Sequence, residues 1–444
     1  MSRLVILGGG ESGVGTALLA KRKGLDVFLS DSGQLKPEHK AELDAAAIRY
    51  EEGGHTEELI VTADEVVKSP GIPEKAPIIK ALRAKNVPIV SEIEFASRYT
   101  KARKICITGS NGKTTTTLLT HHLLCESGIR AELAGNVGTS LARQIAQGNE
   151  PDWYVIELSS FQLDGMYDFK ADIAILTNIT PDHLDRYEYK FENYIRSKFR
   201  ILQNQIEQDV FICNPDDPTT LEWLDRFDVG ADLFMVSTKS VARGAYCEAG
   251  RIVVGDETLL AFDADTMTIK GLHNIYNGMQ ACLAAMKAGA SAENIKRAVG
   301  TFKNAAHRLE PVRQFEGVEY INDSKATNVD SAWYALECQT KPVVWIAGGT
   351  DKGNDYAVLK PFAKAKVKAL VCLGLDNEKL KASFADVVPT IVETKSMEAC
   401  VAECRRLATS GDVVLLSPCC ASFDLFNSYI HRGNMFKEAV NALK

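Results

Sequence analysis

The segment GSNGKT, residues 109–114, combines residue types that bind nucleotide phosphates. Its glycines would let backbone N–H groups close on phosphate oxygens, and the start of a following helix would add partial positive charge. Lys113 can reach the outer phosphates of a triphosphate, and the Thr114 hydroxyl can ligate Mg²⁺. The spacing departs from the common pattern G-x-x-x-x-G-K, because Ile107 stands where the first glycine would be. An apolar run precedes the segment and a helical pattern follows it, so nucleotide binding is favoured over an ordinary Gly-Lys turn.

A second glycine-rich turn, GGGESG at residues 8–13, lies near the start of the chain. It matches G-x-G-x-x-G after an apolar run, and the acidic Asp31 follows about 20 residues on, as in dinucleotide-binding folds. Taken alone the pattern indicates NAD or FAD, but the same turn can hold any diphosphate, or no ligand at all. A chain that hydrolyses a triphosphate and also binds a diphosphate-containing substrate would need both turns.

Acidic and imidazole side chains follow two further apolar runs. Glu157 comes at the end of the run WYVIE, and His183, between Asp182 and Asp185, follows the run ADIAILTNI. At the carboxyl edge of a parallel sheet these groups would lie beside the phosphate segment and could hold Mg²⁺ against a triphosphate. The residues alone equally favour a helix cap or solvent-facing acid for Glu157 and a surface position for His183. Lys198, in the helix-like stretch NYIRSKFRILQ, is interpreted on its own as a surface lysine.

Alternating apolar runs and helical patterns must position these groups, and they predict parallel sheets covered by helices. The predicted strands lie at residues 4–8, 26–31, 65–71, 87–91, 153–160, 171–179, 209–217, 342–349, 367–374 and 412–418. The predicted helices lie at residues 14–23, 38–47, 271–290 and 396–411. Short runs and glycine turns over residues 230–270 predict small antiparallel strands appended to the middle sheet. The three blocks meet near residues 95 and 300.

Composition excludes several classes of protein. The chain has 444 residues, of which 45% are apolar and 25% charged, and its formal net charge is −7. That balance argues against a uniformly basic nucleic-acid-binding surface. Eleven cysteines, an odd number without a C-x-x-C pair, fit a reduced cytoplasmic compartment better than a disulfide scaffold or a zinc site. The N-terminus has no signal-peptide pattern, and no run of about 18 apolar residues predicts a membrane span.

Taken together, the motifs resemble those of the ATP-dependent Mur ligase family, over essentially the full chain. The motifs that carry the resemblance are KSPGIP, TGSNGKTTT, ELSSFQL, TNITPDHLDRY, the SK pair containing Lys198, HNIYNGMQA, HRLE, NDSKATN, GGTDKG and SPCCASFDLF followed by RG. The combination is most similar to the branch that adds D-glutamate. It implies an α/β fold of three domains: a Rossmann-like domain at 1–95 for the UDP substrate, a central P-loop ATPase-type domain at 96–300 with a mostly parallel sheet and a small antiparallel addition, and a Rossmann-like domain at 301–444 for the incoming amino acid.

The resemblance also implies a reaction. ATP would phosphorylate the carboxylate of UDP-N-acetylmuramoyl-L-alanine, and the amine of D-glutamate would attack the acyl phosphate in a step of peptidoglycan precursor synthesis. Transfer of the γ-phosphoryl group supplies a leaving group, so catalysis is mostly positioning and charge neutralisation. The segment at 109–114 would hold ATP, and the turn at 8–15 would hold the UDP diphosphate rather than NAD.

Family roles transfer to this chain where its motifs match. The catalytic set would be Lys113, Glu157, His183 and Lys198, the last as a carbamylated lysine. Two Mg²⁺ ions would be held by Thr114, Glu157, His183 and the carbamate of Lys198. ATP would contact Gly109, Ser110, Asn111, Gly112, Lys113, Thr114, Thr115, Asn274, Asn277, Arg308, Asp323 and Lys325. The UDP substrate would contact Glu11, Ser12, Gly13, Asp31, Ser32 and Asn136. D-Glutamate would contact Thr327, Lys352, Ser422, Phe423 and Tyr429. Ser32-Gly33 and Tyr429 differ from the residues common at those positions in the family.

Three other functions remain open at this point. Another Mur ligase would add a different amino acid. An NAD-dependent oxidoreductase would use the turn at 8–13 and Asp31 but would leave Lys113 and His183 without a role. A non-catalytic nucleotide-sugar binding protein would bind the UDP sugar without ATP turnover. We expect a monomer that binds neither nucleic acid nor membrane.

Overall fold

The computed structural model describes residues 2–255, 260–351 and 353–444, and it is an α/β structure with three sheets. The chain forms two compact units, one of Met1–Thr268 with Ile275–Phe302 and one of Ile269–Asn274 with Lys303–Lys444. The first unit contains two of the sheets and the second contains the third. The predicted α/β class with mostly parallel sheets is therefore confirmed, whereas the domain boundaries at 95 and 300 stay a prediction.

The first sheet has five parallel strands in the order β3-β2-β1-β4-β5. Its strands are β1 Arg3–Leu7, β2 Asp26–Asp31, β3 Arg49–Glu52, β4 Glu65–Lys68 and β5 Ile89–Val90. The helices are α1 Glu11–Arg22, α2 Pro37–Ala45, α3 Glu57–Ile60, α4 Pro77–Ala84 and α5 Glu92–Ser97. A proline opens α2 and α4, where its fixed φ suits the first helical turn. The four predicted strands in this region are confirmed, and the charged edge strand β3 was missed because RYEE has no apolar alternation.

The second sheet has the order β14-β13-β12-β11-β10-β9-β6-β8-β7 among the described residues. Its strands are β6 Arg103–Thr108, β7 Ala131–Gly135, β8 Trp153–Glu157, β9 Ile173–Leu176, β10 Val210–Cys213, β11 Asp232–Ser237, β12 Gly244–Glu248, β13 Arg251–Gly255 and β14 Leu260–Asp263. The helices are α6 Lys113–Glu126, α7 Leu141–Gln147, α8 Ser160–Leu163, α9 Phe191–Phe199, α10 Pro218–Leu224, α11 Leu272–Lys287 and α12 Ala292–Ala298, with 3₁₀ turns at Leu184–Arg186, Arg200–Leu202 and Ala264–Thr266.

The prediction of antiparallel strands over residues 230–270 is partly wrong. β11 pairs in parallel with β10, and β12 pairs in parallel with β11, so the parallel sheet continues into this region. Only β13 and β14 are antiparallel to their neighbours. Short glycine-bounded runs look alike in both arrangements, because strand direction depends on the connection and not on local alternation.

The third sheet has the order β15-β16-β20-β17-β18-β19, and only the edge strand β15 is antiparallel. Its strands are β15 Glu310–Phe315, β16 Val318–Asn322, β17 Val343–Gly348, β18 Val367–Leu373, β19 Ile391–Thr394 and β20 Val413–Cys419. The helices are α13 Val329–Glu337, α14 Lys360–Lys366, α15 Glu378–Phe384, α16 Met397–Leu407 and α17 Tyr429–Asn441, with a 3₁₀ turn at Ala357–Leu359. The central strands β17, β18 and β20 are almost wholly buried, as their unbroken apolar runs predict for parallel strands covered on both faces.

Ligands of open parallel sheets bind outside the carboxyl ends of the strands, so these ends are where the site residues should be sought. All eleven cysteines are free thiols. Among the described residues, no helix is both long and apolar enough to span a membrane.

Candidate functional site

The phosphate segment forms a tight loop between β6 and α6 that only glycine can build. Gly109 and Gly112 have φ values of +144° and +84°, in the left-handed region that favours glycine. A Cβ on Gly109 would lie 1.8 Å from Oγ1 of Thr177, and one on Gly112 would lie 2.3 Å from Oδ1 of Asn277. Helix α6 begins at Lys113, directly after the loop. The loop therefore presents a helix N-terminus, the arrangement that binds anions.

Hydrogen bonds from the segment after β9 fix the loop. The Ser110 N–H donates to the Asn178 carbonyl at 2.9 Å, and the Asn111 N–H donates to Oδ1 of Asn178 at 3.0 Å. Thr177 Oγ1 donates to the Asn111 carbonyl at 2.6 Å. The motif TNITPDH and the phosphate loop are thus brought together, as their place at one sheet edge predicts.

Two lysine ammonium groups meet on this loop. Lys113 Nζ donates to the carbonyls of Gly109 and Ser110 at 2.8 and 2.9 Å. Lys198 Nζ donates to the same Gly109 carbonyl at 2.8 Å and to Oγ1 of Thr108 at 3.2 Å. Lys198 is only 2% exposed, so its interpretation as a surface lysine is wrong. Lys198 lies on the buried face of helix α9, a position that the lysine alone does not reveal in the sequence.

Burial lowers the pKa of Lys198 well below its usual value, and the positive charge of Lys113 lowers it further. The carboxylates of Asp182, Glu157 and Asp164 act in the opposite direction but are outweighed. A depressed pKa increases the neutral fraction of the amine at any given pH, and the neutral amine is the nucleophilic form of lysine.

Glu157 ends β8 at the same edge and is 1% exposed. Its Oε1 accepts a hydrogen bond from Nδ2 of Asn136 at 2.8 Å. Its Oε2 is buried and has no hydrogen-bond partner among the described residues. A buried carboxylate oxygen without a partner is costly, and a hard divalent cation such as Mg²⁺ prefers this kind of ligand. This oxygen of Glu157 therefore fits a ligand of the Mg²⁺ that the family resemblance implies.

His183 precedes a 3₁₀ turn and has φ +51°, which places it at a sharp bend of the backbone. Its Nε2 lies 3.5 Å from Oδ2 of Asp182, and its side chain is 48% exposed. The ring packs edge-on against Phe161, with centroids 5.2 Å apart. Among the described residues no group of three or more His, Cys, Asp or Glu side chains is arranged to hold a metal.

The other predicted residues of this loop are placed as follows. Thr114 and Thr115 are each 4% exposed in the first turn of α6. Oδ1 of Asn277, on α11, accepts a hydrogen bond from Oγ1 of Thr116 at 3.3 Å. Asn277 therefore reaches the phosphate loop from a helix far away in the sequence.

The first glycine turn is equally tight. A Cβ on Gly8, whose φ is +100°, would lie 2.3 Å from Oγ of Ser69, and one on Gly13 would lie 1.8 Å from the Gly8 carbonyl oxygen. The Asp31 carboxylate, at the end of β2, accepts hydrogen bonds from the N–H groups of Gly9 at 2.5 Å and Gly33 at 2.7 Å. Both of its oxygens are therefore already engaged by backbone donors.

Helix α7 supplies a cation to this turn that sequence reasoning missed. Arg143 Nε donates to Oε1 of Glu11 at 2.7 Å, and the same guanidinium pairs with Glu42. Ser12 lies next to Glu11 in α1, and Ser32 is exposed after β2. Arg143 has no motif around it, so nothing in the sequence identifies it; only the packing of α7 against α1 does so.

Buried carboxyls of α5 connect the first two sheets. Oε1 of Glu92 accepts the N–H of Ala142 at 2.6 Å, at the start of α7. Burial raises the pKa of Glu92 to about 7, and the nearby Glu11 adds to the effect. Oε2 of Glu94 accepts the N–H groups of Tyr167 and Phe169 at 2.9 and 3.0 Å. These hydrogen bonds join α5 to segments that connect strands of the second sheet.

The second compact unit contains the remaining residues that were predicted to bind the nucleotide. Burial raises the pKa of Asp323 to about 7, and its carboxylate accepts hydrogen bonds from the Leu309 N–H at 3.2 Å and from Ser417 Oγ at 3.0 Å. Burial and the charge of Arg308 lower the pKa of His273 to about 4. Asn274 Nδ2 donates to the Lys270 carbonyl at 2.8 Å.

The residues predicted for D-glutamate lie at the carboxyl edge of the third sheet, except that Lys352 lies outside the described residues. Lys325 Nζ donates to the Tyr429 hydroxyl at 3.1 Å, and the Thr327 N–H donates to the Lys325 carbonyl at 2.8 Å. Ser422 is buried, whereas its neighbour Phe423 is 73% exposed.

Arg432, which sequence reasoning also missed, lies beneath this edge. It is 1% exposed and donates to Oγ of Ser324 at 3.0 Å and to the Cys420 carbonyl at 3.2 Å. Burial lowers its pKa to about 10. Its guanidinium thereby joins the segments after β16 and β20. The RG pair in the C-terminal motif was the only signal for it.

Comparison with known protein families gives three matches. The family model described as "MurD N-terminal domain" matches residues 3–78. "Mur ligase middle domain" matches residues 107–285, and "Mur ligase, glutamate ligase domain" matches residues 307–420.

Individual proteins agree with these matches. The chain is 51% identical over 445 residues to the UDP-N-acetylmuramoylalanine–D-glutamate ligase of Bacteroides fragilis, covering 100% of both chains. It is 40% identical to the protein of the same name from Salinibacter ruber, covering 100% of this chain and 98% of that one. Its structure is similar to that of UDP-N-acetylmuramate–alanine ligase from Thermotoga maritima, with a TM-score of 0.62, 19% identity and full coverage of both chains. The last likeness concerns the fold alone.

Proposed function

Because the chain belongs to the Mur ligase family, we propose that it joins D-glutamate to UDP-N-acetylmuramoyl-L-alanine and converts ATP to ADP and phosphate. Full-length similarity to ligases of that name supports this activity, as does the match of residues 3–78 to the MurD N-terminal domain. The structural observation that carries the proposal is the phosphate loop on which Lys113 and Lys198 converge at the Gly109 carbonyl.

The loop would bind the triphosphate through its backbone N–H groups and Lys113. In the absence of nucleotide the Lys113 ammonium is bound to the Gly109 and Ser110 carbonyls. A triphosphate would compete for it with full negative charges, and charge-assisted bonds are about twice as strong as neutral ones. The remaining residues that the family resemblance implies for ATP binding are Asn274, Arg308, Asp323 and Lys325.

Thr114, Glu157, His183 and a carbamate on Lys198 would hold Mg²⁺, with two ions proposed. Bound Mg²⁺ would neutralise charge on the transferring phosphoryl group. The unpartnered Oε2 of Glu157 supports this assignment. The carbamate would form when the neutral Lys198 amine attacks CO₂: an N–C bond forms, the electron pair of one C=O π bond moves to oxygen, and the nitrogen releases one proton. The lowered pKa of Lys198 favours the neutral amine that this step requires.

The first glycine turn would hold the UDP diphosphate at the N-terminus of α1, with Glu11, Ser12, Gly13, Asp31 and Ser32 as contacts. Pairing of Glu11 with Arg143 offsets a carboxylate that would otherwise repel the diphosphate. Asn136, which donates to Glu157, would lie near the sugar. This arrangement would place the substrate carboxyl between the two turns.

D-Glutamate would bind the carboxyl edge of the third sheet through Thr327, Lys352, Ser422, Phe423 and Tyr429. The domains would span residues 1–95, 96–300 and 301–444. We further propose that the protein acts as a monomer in the cytoplasm.

The deciding experiment measures phosphate release from ATP, Mg²⁺ and UDP-N-acetylmuramoyl-L-alanine with one amino acid at a time. Release that depends on D-glutamate supports the proposal. Release driven by L-alanine or a diamino acid would assign the chain a different Mur ligase specificity. Binding of the UDP sugar without ATP turnover would leave only a binding protein, and hydride transfer from NADH would restore the oxidoreductase interpretation.

A further inference from the structure

Arg186 reaches from the His183 segment to a turn of the first sheet. It lies three residues after His183, and its guanidinium donates to the carbonyls of Pro70 at 3.1 Å, Gly71 at 3.4 Å and Ile72 at 3.5 Å. All of these residues belong to the same compact unit. The family resemblance implies a role for His183 in this segment and none for Arg186.

The turn that Arg186 contacts lies next to the first glycine turn. It follows β4, and Ser69, the residue before Pro70, closes on Gly8 so tightly that a Cβ there would lie 2.3 Å from Ser69 Oγ. Lys68 Nζ donates to the Ile72 carbonyl at 3.0 Å from within the first sheet. The carbonyl of Ile72 is therefore approached by two cations, Lys68 from β4 and Arg186 from the 3₁₀ turn Leu184–Arg186.

The other face of the guanidinium packs on an aromatic ring. Arg186 lies over the ring of Phe161, 4.4 Å from its centroid, and the His183 ring packs edge-on against the same ring at 5.2 Å. Tyr187 stacks against Phe161 with centroids 6.0 Å apart. Phe161 comes from the ELSSFQL motif, four residues after Glu157. The Phe161 ring thus contacts Arg186 and His183, and it lies in the same motif as Glu157, the other predicted metal ligand.

Among the described residues no carboxylate forms an ion pair with Arg186. Its charge is met by carbonyl dipoles and by the face of an aromatic ring, both of which stabilise a cation. A planar fork of N–H groups suits several carbonyls of one turn, and a lysine ammonium could not bridge them in the same way. The arrangement accordingly suits a guanidinium that holds a turn in place.

We propose that Arg186 is a positioning residue that holds the 70–72 turn of the UDP-substrate side against the His183 segment. In doing so it aligns the substrate carboxyl with the phosphate loop. The inference rests on the proposed function for the identity of the UDP substrate. It does not place Arg186 in contact with either nucleotide.

The test uses the full-length protein with Arg186→Ala and Arg186→Lys. Calorimetry without ATP gives the Kd of UDP-N-acetylmuramoyl-L-alanine, a fluorescent ATP analogue gives nucleotide affinity, and phosphate release gives kcat and KM. In Arg186→Ala we expect the Kd and KM of the UDP substrate to rise roughly tenfold, because several charge-assisted bonds are lost. Affinity for the ATP analogue should change less than about twofold. Arg186→Lys should fall between the wild type and Arg186→Ala.

Arg103→Ala is the matched control. Its guanidinium also covers an aromatic ring, that of Trp153, 4.0 Å from the centroid, but it lies at the start of β6, the end away from the phosphate loop. We expect both affinities to be unchanged in this variant. If Arg186 acted only on stability, kcat would fall with the folded fraction while both affinities stayed at wild-type values.

Three results would overturn the inference: an unchanged UDP-substrate Kd in Arg186→Ala, an equal loss of ATP-analogue affinity, or the same loss in Arg103→Ala. Wild-type protein that fails to bind the UDP substrate would overturn it as well. Failure of the proposed function looks different, because wild-type protein would then bind the UDP substrate but release no phosphate with D-glutamate. In that case calorimetry still decides the role of Arg186.

Discussion

The two glycine turns share a backbone design but differ in the charges around them. Each connects a buried parallel strand to a helix, and each contains two glycines, Gly8 and Gly13 or Gly109 and Gly112, at which a Cβ would clash with a neighbouring atom. At the loop 109–112, the side-chain nitrogens of Lys113 and Lys198 both donate to the Gly109 carbonyl. At the turn 8–13, the Asp31 carboxylate instead accepts a hydrogen bond from the backbone N–H of Gly9. The neighbouring cation, Arg143, is already paired with Glu11 and Glu42.

This difference teaches that glycine geometry makes a phosphate site possible, whereas the surrounding charge decides which phosphate group it suits. A triphosphate whose terminal group is transferred requires strong charge compensation. A diphosphate that only anchors a substrate can rely on backbone N–H groups and the helix N-terminus. Changes at each turn should therefore have separable effects.

The largest effect is expected from Lys113→Ala. Loss of the ammonium group should lower ATP-dependent turnover by about 10³-fold or more, because transition-state charge is no longer compensated. The Kd of the UDP substrate, measured by calorimetry, should stay within about twofold. Equal loss of both would mean that the two turns form one site.

Lys198→Ala should lower turnover by roughly 10²-fold, since it removes the group proposed to carry the metal-binding carbamate. Adding a small carboxylate such as acetate should restore part of the phosphate release. Lys190→Ala is the control, because Lys190 is an exposed lysine paired with Glu188 on the protein surface. Full activity in Lys198→Ala would remove the carbamate role.

Gly13→Ala tests the first turn alone. The new Cβ would lie 1.8 Å from the Gly8 carbonyl oxygen, so the turn must open, at a cost of about 1–3 kcal/mol. We expect weaker UDP-substrate binding with nearly unchanged affinity for an ATP analogue. Gly10→Ala is the matched control, because its Cβ would meet nothing within 4 Å. Similar losses in both variants would contradict the steric explanation.

The smallest effect concerns the acidic surroundings of the first turn. The folded-state pKa of Glu92 is raised from 4.5 to about 7, so the folded protein retains a proton there that the unfolded chain has released. Stability from this group is therefore fully present below about pH 4.5 and is lost as the pH rises towards 7. Glu92→Gln should raise the free energy of unfolding at pH 8 by on the order of 1–3 kcal/mol and change it little at pH 5.

Thermal unfolding of Glu92→Gln at both pH values checks this prediction. Glu38→Gln serves as the control, because Glu38 is exposed and its closest ion-pair contact, to Lys36, is 4.0 Å. An equal shift at pH 5 and pH 8 would show that the carboxyl of Glu92 does not retain its proton in the folded state.

Much of the architecture was predictable because strands and turns depend on local pattern. The runs that became β1, β2, β6, β17 and β20 are apolar over most of their length, and the glycine turns follow two of them directly. The strands β3 and β19 were missed, because short edge strands carry charged residues and show little periodicity. The direction of β11 and β12 was missed for a related reason, since it depends on how the chain returns to the sheet.

The limit of prediction from the sequence is clearer for the surroundings of individual side chains. In the sequence, nothing marks Lys198 as different from a surface lysine. In the structure its side chain is buried and contacts the Gly109 carbonyl, about ninety residues earlier in the chain. Arg143, Arg186 and Arg432 each hold segments that are distant in the sequence. Arg186 and Arg432 lie in family motifs and Arg143 does not, but in all three cases the contacts become visible only in the folded chain.

By itself, the amino-acid sequence determined where the backbone can turn tightly and which stretches must be buried, because glycine conformation and apolar periodicity are local properties. It also carried the motifs that identify the family. Only the tertiary structure decided which charges surround each turn, which lysine has a lowered pKa and which arginine joins two segments. Those outcomes depend on desolvation and Coulomb interactions between residues that meet only after folding.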